Sequence, residues 1–223
     1  MNEGWPWLAL FLLGAYHGLN PGMGWLFAVA LGLQERKTRV VLWALAPIAL
    51  GHALSIGAIA GAAACAQTNI PHHTLRVASA AAIFGFGLFR LLRSRHPSWV
   101  GMRVGFRDLT LWSFMMASAH GAGLMLIPIF FSPSTRPALY AAHIARGLNV
   151  EVFCGAQQSF FSSPALLGGA IGVHTLGHLL VAGMTALLVY RKLGVAVLRS
   201  AWVNLDLIWV FALVATGLCL LIF

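Results

Sequence analysis

Long apolar runs, interrupted by short clusters of basic residues, divide the chain into six stretches at roughly 5–33, 40–64, 74–92, 109–131, 165–190 and 201–223. A helix needs about 20 apolar residues to cross some 30 Å of hydrocarbon, and each stretch reaches or approaches that length. No segments of alternating polarity occur, which argues against a β-barrel. The pattern predicts an all-α integral membrane protein with six transmembrane helices, forming a single membrane domain over 1–223. So little sequence lies between the stretches that no separate soluble domain fits. One interval is long, 132–164. Pro133 and Pro137 open it, and 138–146 reads as a short helix ended by Gly147.

The polar positions inside the stretches repeat. His17-Gly18 in the first is echoed by His120-Gly121 in the fourth, and Gly51-His52 in the second by Gly177-His178 in the fifth. Gly87-Leu88 and Gly217-Leu218 align the third with the sixth. Order and depth agree, so the chain reads as two homologous halves, about 5–92 and about 109–223. Three crossings per half make the second half enter the membrane from the opposite side. Such inverted repeats are common in secondary transporters, whose sites lie near the midplane between the halves.

Composition and charge sharpen this picture. The chain is 60% hydrophobic and only 9% charged, whereas soluble domains carry about 25% charged residues. The net charge of +9 would suit nucleic acid if it formed a patch, but it is segregated by loop. Eleven basic residues follow stretches one, three and five (Arg36, Lys37, Arg39; Arg90 to Arg107; Arg191, Lys192, Arg199), against Arg76, Arg136 and Arg146 elsewhere. This positive-inside bias predicts a multi-pass protein of a bacterial-type inner membrane with both termini outside, partnered by lipid and by no nucleic acid. The first residues lack the basic n-region of a cleaved signal, so the first span is expected to be retained. Trp5 and Trp7 suit the outer interface. Cys65 and Cys154 both map to the outer side, where a disulfide is compatible with an oxidising compartment, and so are two unbonded small residues. Association with further copies of the chain stays open.

Ionisable side chains at bilayer depth are costly and usually mark function. His17, His52, His120 and His178 fall near the middle of four different spans, and His174 lies one helical turn from His178 on the same face. Imidazole suits nickel, cobalt, copper, zinc and iron, so the five are candidate ligands for one transition-metal ion. Titrating near neutral pH, they are also candidates for a proton relay or a proton-coupled solute site. Pro21 must interrupt the first span, with Gly22 loosening it further; Asn20 can satisfy loosened backbone groups or touch a solute. Met23, Met115, Met116, Met125 and Met184 read as core filler. His72 and His73 are assigned to an outer loop, His143 to the long loop and His96 to the inner surface. Asn204 and Asp206 read as a cap of the last span. Acids are too scarce in the spans for an oxygen-lined hard-cation site.

Six spans in two halves of three, with the break His17-Gly-Leu-Asn20-Pro21-Gly22, resemble the lysine-exporter superfamily, which includes amino-acid exporters and nickel/cobalt efflux permeases of the NicO type. In the latter the corresponding span resembles His-Ala-Leu-Asp-Ala-Asp-His. Here Asn20 stands at the first aspartate, and Gly22 and Met23 at the second acid and histidine. The resemblance implies an exporter, with His17 and Asn20 at its site. The expected function is therefore membrane transport of a transition-metal ion or a small solute, with proton coupling as an option. A membrane-embedded metal- or haem-dependent enzyme is the first alternative, and a non-catalytic membrane subunit or assembly factor the second.

Overall fold

The structure is a computed structural model that describes residues 5–66, 70, 72–92, 105–130, 163–193 and 205–222. All regular structure among them is helical. In chain order the helices are α1 (Trp5–Leu19), a single 3-10 turn (Pro21–Met23), α2 (Trp25–Glu35), α3 (Thr38–Ala66), α4 (His72–Leu92), α5 (Phe106–Ala119), α6 (Ala122–Phe130), α7 (Pro164–Leu188, continued by a π turn, Val189–Leu193) and α8 (Leu205–Ile222). Two helices, Thr38–Ala66 and Pro164–Lys192, are long and apolar enough to cross a membrane, at 29 residues each. Their outward faces are apolar as well: Leu50 and Leu54 on α3, and Leu176, Leu180 and Met184 on α7, are exposed. Helices that are hydrophobic all round are suited to burial on every face. Met184 therefore faces outward and is not core filler. The backbone of His72 and His73 opens α4 rather than lying in a loop. The expected helix at 138–146, Cys154, His143, His96 and Asn204 all lie outside the described residues, as does the side chain of Asp206.

The helices associate chiefly as three pairs: α1 along α7, α3 along α5, and α4 along α8. Close packing at small residues brings the helices of each pair together. Gly14 and Gly18 press on the backbone of α7 at His174 and His178, and Gly177 presses back on α1 at Phe11. Gly51 lies equally close to Thr110 and Phe114. In the third pair a Cβ added to Gly87 would lie 2.9 Å from a Val214 methyl, and one added to Gly217 would lie 2.7 Å from the Phe84 nitrogen. Any larger residue at these points drives the helices apart.

Two long stretches are interrupted. Between α1 and α2, Pro21 offers no N–H, Asn20 Oδ1 accepts a 2.9 Å hydrogen bond from the Gly22 nitrogen, and Gly24 turns the chain at φ 114°. The exposed carbonyls are met by two tryptophans: the indole of Trp25 donates to Leu19 O at 3.2 Å and that of Trp112 to Gly22 O at 3.3 Å. The second break separates α5 from α6 at His120 and Gly121, where Gly121 takes φ 68°. The fourth stretch thus comprises two short helices instead of one continuous span.

Candidate metal centre

Five histidines are buried: His17, His52, His120, His174 and His178 are each at most 1% exposed. His17 occupies the last turn of α1, His52 the middle of α3, and His174 and His178 successive turns of α7. Gly14 and Gly177 let α1 and α7 approach until their histidines meet. The rings of His17 and His52 have centroids 5.4 Å apart, and those of His17 and His174 5.1 Å, both edge to face. His52 lies nearly parallel to His174 at 5.4 Å and to His178 at 4.1 Å. One ring nitrogen from each of His17, His52 and His174 falls within a span of 4.8 Å. These three residues can hold a metal ion. Nitrogens at 2.0–2.1 Å from a tetrahedral ion are about 3.3 Å apart, so the donors must draw closer to hold one.

Hydrogen bonds set two of these ligands. Nδ1 of His17 donates to the Leu13 carbonyl at 2.9 Å, and Nδ1 of His174 to the Leu10 carbonyl at 3.0 Å. Backbone carbonyls thereby fix the tautomer, orient the ring and raise the basicity of Nε2, as hydrogen-bond acceptors behind a metal-bound histidine do. Neither ring nitrogen of His52 or His178 has a hydrogen-bond partner among the described residues, and the same holds for Nε2 of His174. Buried polar groups are rarely left so, and each demands a reason.

His120 is placed differently. It caps α5 at the second break, where its Nδ1 donates to Met116 O at 2.8 Å. It faces the other break: a Cβ on Gly22 would stand 3.8 Å from His120 Cε1 and 3.2 Å from both Asn20 Oδ1 and the Met116 methyl. His120 thus faces the turn formed by Asn20, Pro21 and Gly22. Sequence alone would have put all five in one set; the structure brings together His17, His52 and His174, stacks His178 on His52, and leaves His120 beside the broken turn.

The layer is closed on both sides by apolar clusters. One is built from Trp25, Val29, Ala44, Ile48, Ala182 and Ala186 with their neighbours, the other from Leu10, Ile56, Ala60, Leu126 and Ala170. Asp108, one of the few acids with a described side chain, caps α5 through the Gly105 nitrogen at 2.9 Å. Several polar contacts escape a sequence reading. Ser55 and Ser118 share a 2.8 Å hydrogen bond between α3 and α5, and Ser113 Oγ donates to Ile48 O at 2.7 Å. Trp112 reads as an interfacial aromatic; its one sequence-level signal is that a buried indole N–H needs an acceptor. Compared with protein-family models, with curated proteins and with solved structures, the chain matches none.

Proposed function

We propose that this protein is a six-span membrane transporter, built from two inverted halves, that moves a transition-metal ion through a site formed by His17, His52 and His174. The observation that carries this function is the convergence of three buried imidazole donors, from three helices, within 4.8 Å. Helix pairing supports the repeat: the first span packs on the fifth as the fourth packs on the second, and the third packs on the sixth. The last pair is reciprocal, Gly87 meeting Val214 as Gly217 meets Phe84. Both breaks fall beside a histidine, His17 and His120, and each histidine bonds the carbonyl four residues earlier. Discontinuous helices at a midplane site are a recurring device of transporters.

The chemistry favours passage over retention. Three neutral imidazoles supply donors without countercharge, so a divalent ion keeps its full charge in an apolar layer. Such a site holds an ion well enough to admit it and weakly enough to release it. Ring contacts of 4.1–5.4 Å leave no slot for a porphyrin among these histidines, which favours a bare ion over haem. The outward direction rests on the resemblance to the lysine-exporter superfamily. The test is Co²⁺ or Zn²⁺ flux in proteoliposomes: flux is expected from the unaltered protein and not from His52→Gln/His178→Gln. A Soret band, or bound metal with turnover and no flux, would replace transport by an enzyme. Unchanged function with all four midspan histidines exchanged for Gln would make the protein a non-catalytic subunit.

A further inference from the structure

The histidine layer is unequal in a way that only the repeat exposes. In the register that sets His17 against His120, Leu10 falls against Ser113 and Leu13 against Met116. In the register that sets His52 against His178, Ile48 falls against His174. The structure contains matched contacts at these positions. The same two pairs of positions are joined in both halves, with side chain and backbone exchanged: His174 Nδ1 donates to Leu10 O at 3.0 Å, whereas Ser113 Oγ donates to Ile48 O at 2.7 Å. His17 and His120 make the same bond to Leu13 O and Met116 O. His52 and His178, which exchange with each other, lie flat together at 4.1 Å and 7°, as residues flanking a two-fold axis would. The apolar clusters above and below also exchange: Ala44 with Ala170, Ile56 with Ala182, Ala60 with Ala186.

Applied to the trio His17, His52 and His174, the exchange yields His120, His178 and Ile48. On the strength of the transport function proposed above, we infer that the protein has a second ion station, made by His120 and His178 with Ile48 in the place of the third imidazole, formed when the two halves trade conformations. The trio binds with three donors and its counterpart with two. Ile48 is fully buried and lies against Gly24 at the first break, its nearest methyl 3.2 Å from where a Cβ would be. No donor can enter there without displacing it. Transit from one station to the other therefore costs the ion a ligand, and the face reached from His120 and His178 is the face of release. An inverted repeat with equal stations would have no such bias.

The test uses full-length protein with Co²⁺ alone as the probe, reading affinity from the visible ligand-field bands and flux from proteoliposomes. His120→Gln is expected to bind Co²⁺ within twofold of the unaltered protein while losing at least tenfold in flux. Ile48→His, which restores the third imidazole, is expected to raise Co²⁺ affinity at least tenfold and slow flux at least tenfold. Should Ile48→His fail to fold, His120→Gln decides alone. Flux by His120→Gln within twofold of the unaltered protein overturns the second station. So does loss of Co²⁺ affinity in that variant, which would put His120 in the same site as the trio. If the unaltered protein neither binds nor moves Co²⁺, the transport function itself falls, and with it this station.

Discussion

His52→Leu separates a ligand from a packing residue by the sign of a stability change. His52 is fully buried, and neither ring nitrogen has a hydrogen-bond partner among the described residues. A buried polar group without a partner costs about 1–3 kcal/mol, so the ring's donor and acceptor together hold the metal-free protein down by a few kcal/mol. Leucine is close to histidine in size, keeps most of the packing and has nothing to satisfy. After allowance for lost ring stacking, a net gain of about 2 kcal/mol is expected, which for a chain of this length raises Tm by about 4–8 °C. Metal reverses the order. At 100 times its Kd an ion stabilises the unaltered protein by about 2.7 kcal/mol. Four-ligand structural zinc sites bind with about 10–16 kcal/mol, or about 2.5–4 kcal/mol per ligand, so the variant's affinity should fall by about two to three powers of ten. The assay is a thermal melt in detergent with and without Co²⁺. A Tm that drops by more than a few degrees in the absence of metal would refute the reasoning, because the ring would then be worth more as packing than its nitrogens cost.

Three further outcomes follow from the packing. Gly177→Leu should leave no monodisperse protein on size exclusion, because its side chain would enter the Phe11 backbone, whereas Gly57→Leu, with nothing within 4 Å, should behave as the unaltered chain. Ser113→Ala removes the 2.7 Å bond to Ile48 O; interhelical hydrogen bonds in membranes average about 0.6 kcal/mol, so a Tm decrease of a few degrees or less is expected. Trp112→Phe keeps the aromatic contact with Phe27 at 5.1 Å but strips the Gly22 carbonyl of its indole donor. Co²⁺ affinity should then hold within twofold while flux falls several-fold, as measured in parallel titration and proteoliposome assays.

The interruption after His17 was legible in the sequence because proline cannot continue a helix, and Pro21 names the place. Its counterpart after His120 was not, because glycine alone makes that break, and glycines occur throughout spans as packing residues. The nearest proline, Pro128, lies well inside α6. Periodicity put His174 and His178 on one face but could not say that α1 would pack along both. That was decided by Gly14 against His174, Gly18 against His178 and Gly177 against Phe11, contacts between helices far apart in sequence. The same limit applies to His120: equal depth in a span does not mean equal distance from a site, since depth comes from counting along one helix and distance from how several helices pack. His72 and His73 follow the second stretch and read as a loop from the sequence, yet a helix can begin among polar residues before its apolar body. Ile48 carries a sequence signal only through the repeat, as the apolar residue that falls against His174.

The three donors of the trio come from α1, α3 and α7, so the site's last ligand arrives late in the chain. During synthesis, a molecule that has inserted only its first half carries His17 and His52 but lacks His174, and it presents no three-coordinate place for an ion. On the proposed transport function, metal capture begins only once α7 has docked. In that function a chain still lacking α7 is kept from acting as a leak, and a bound ion reports that α1, α3 and α7 have come together.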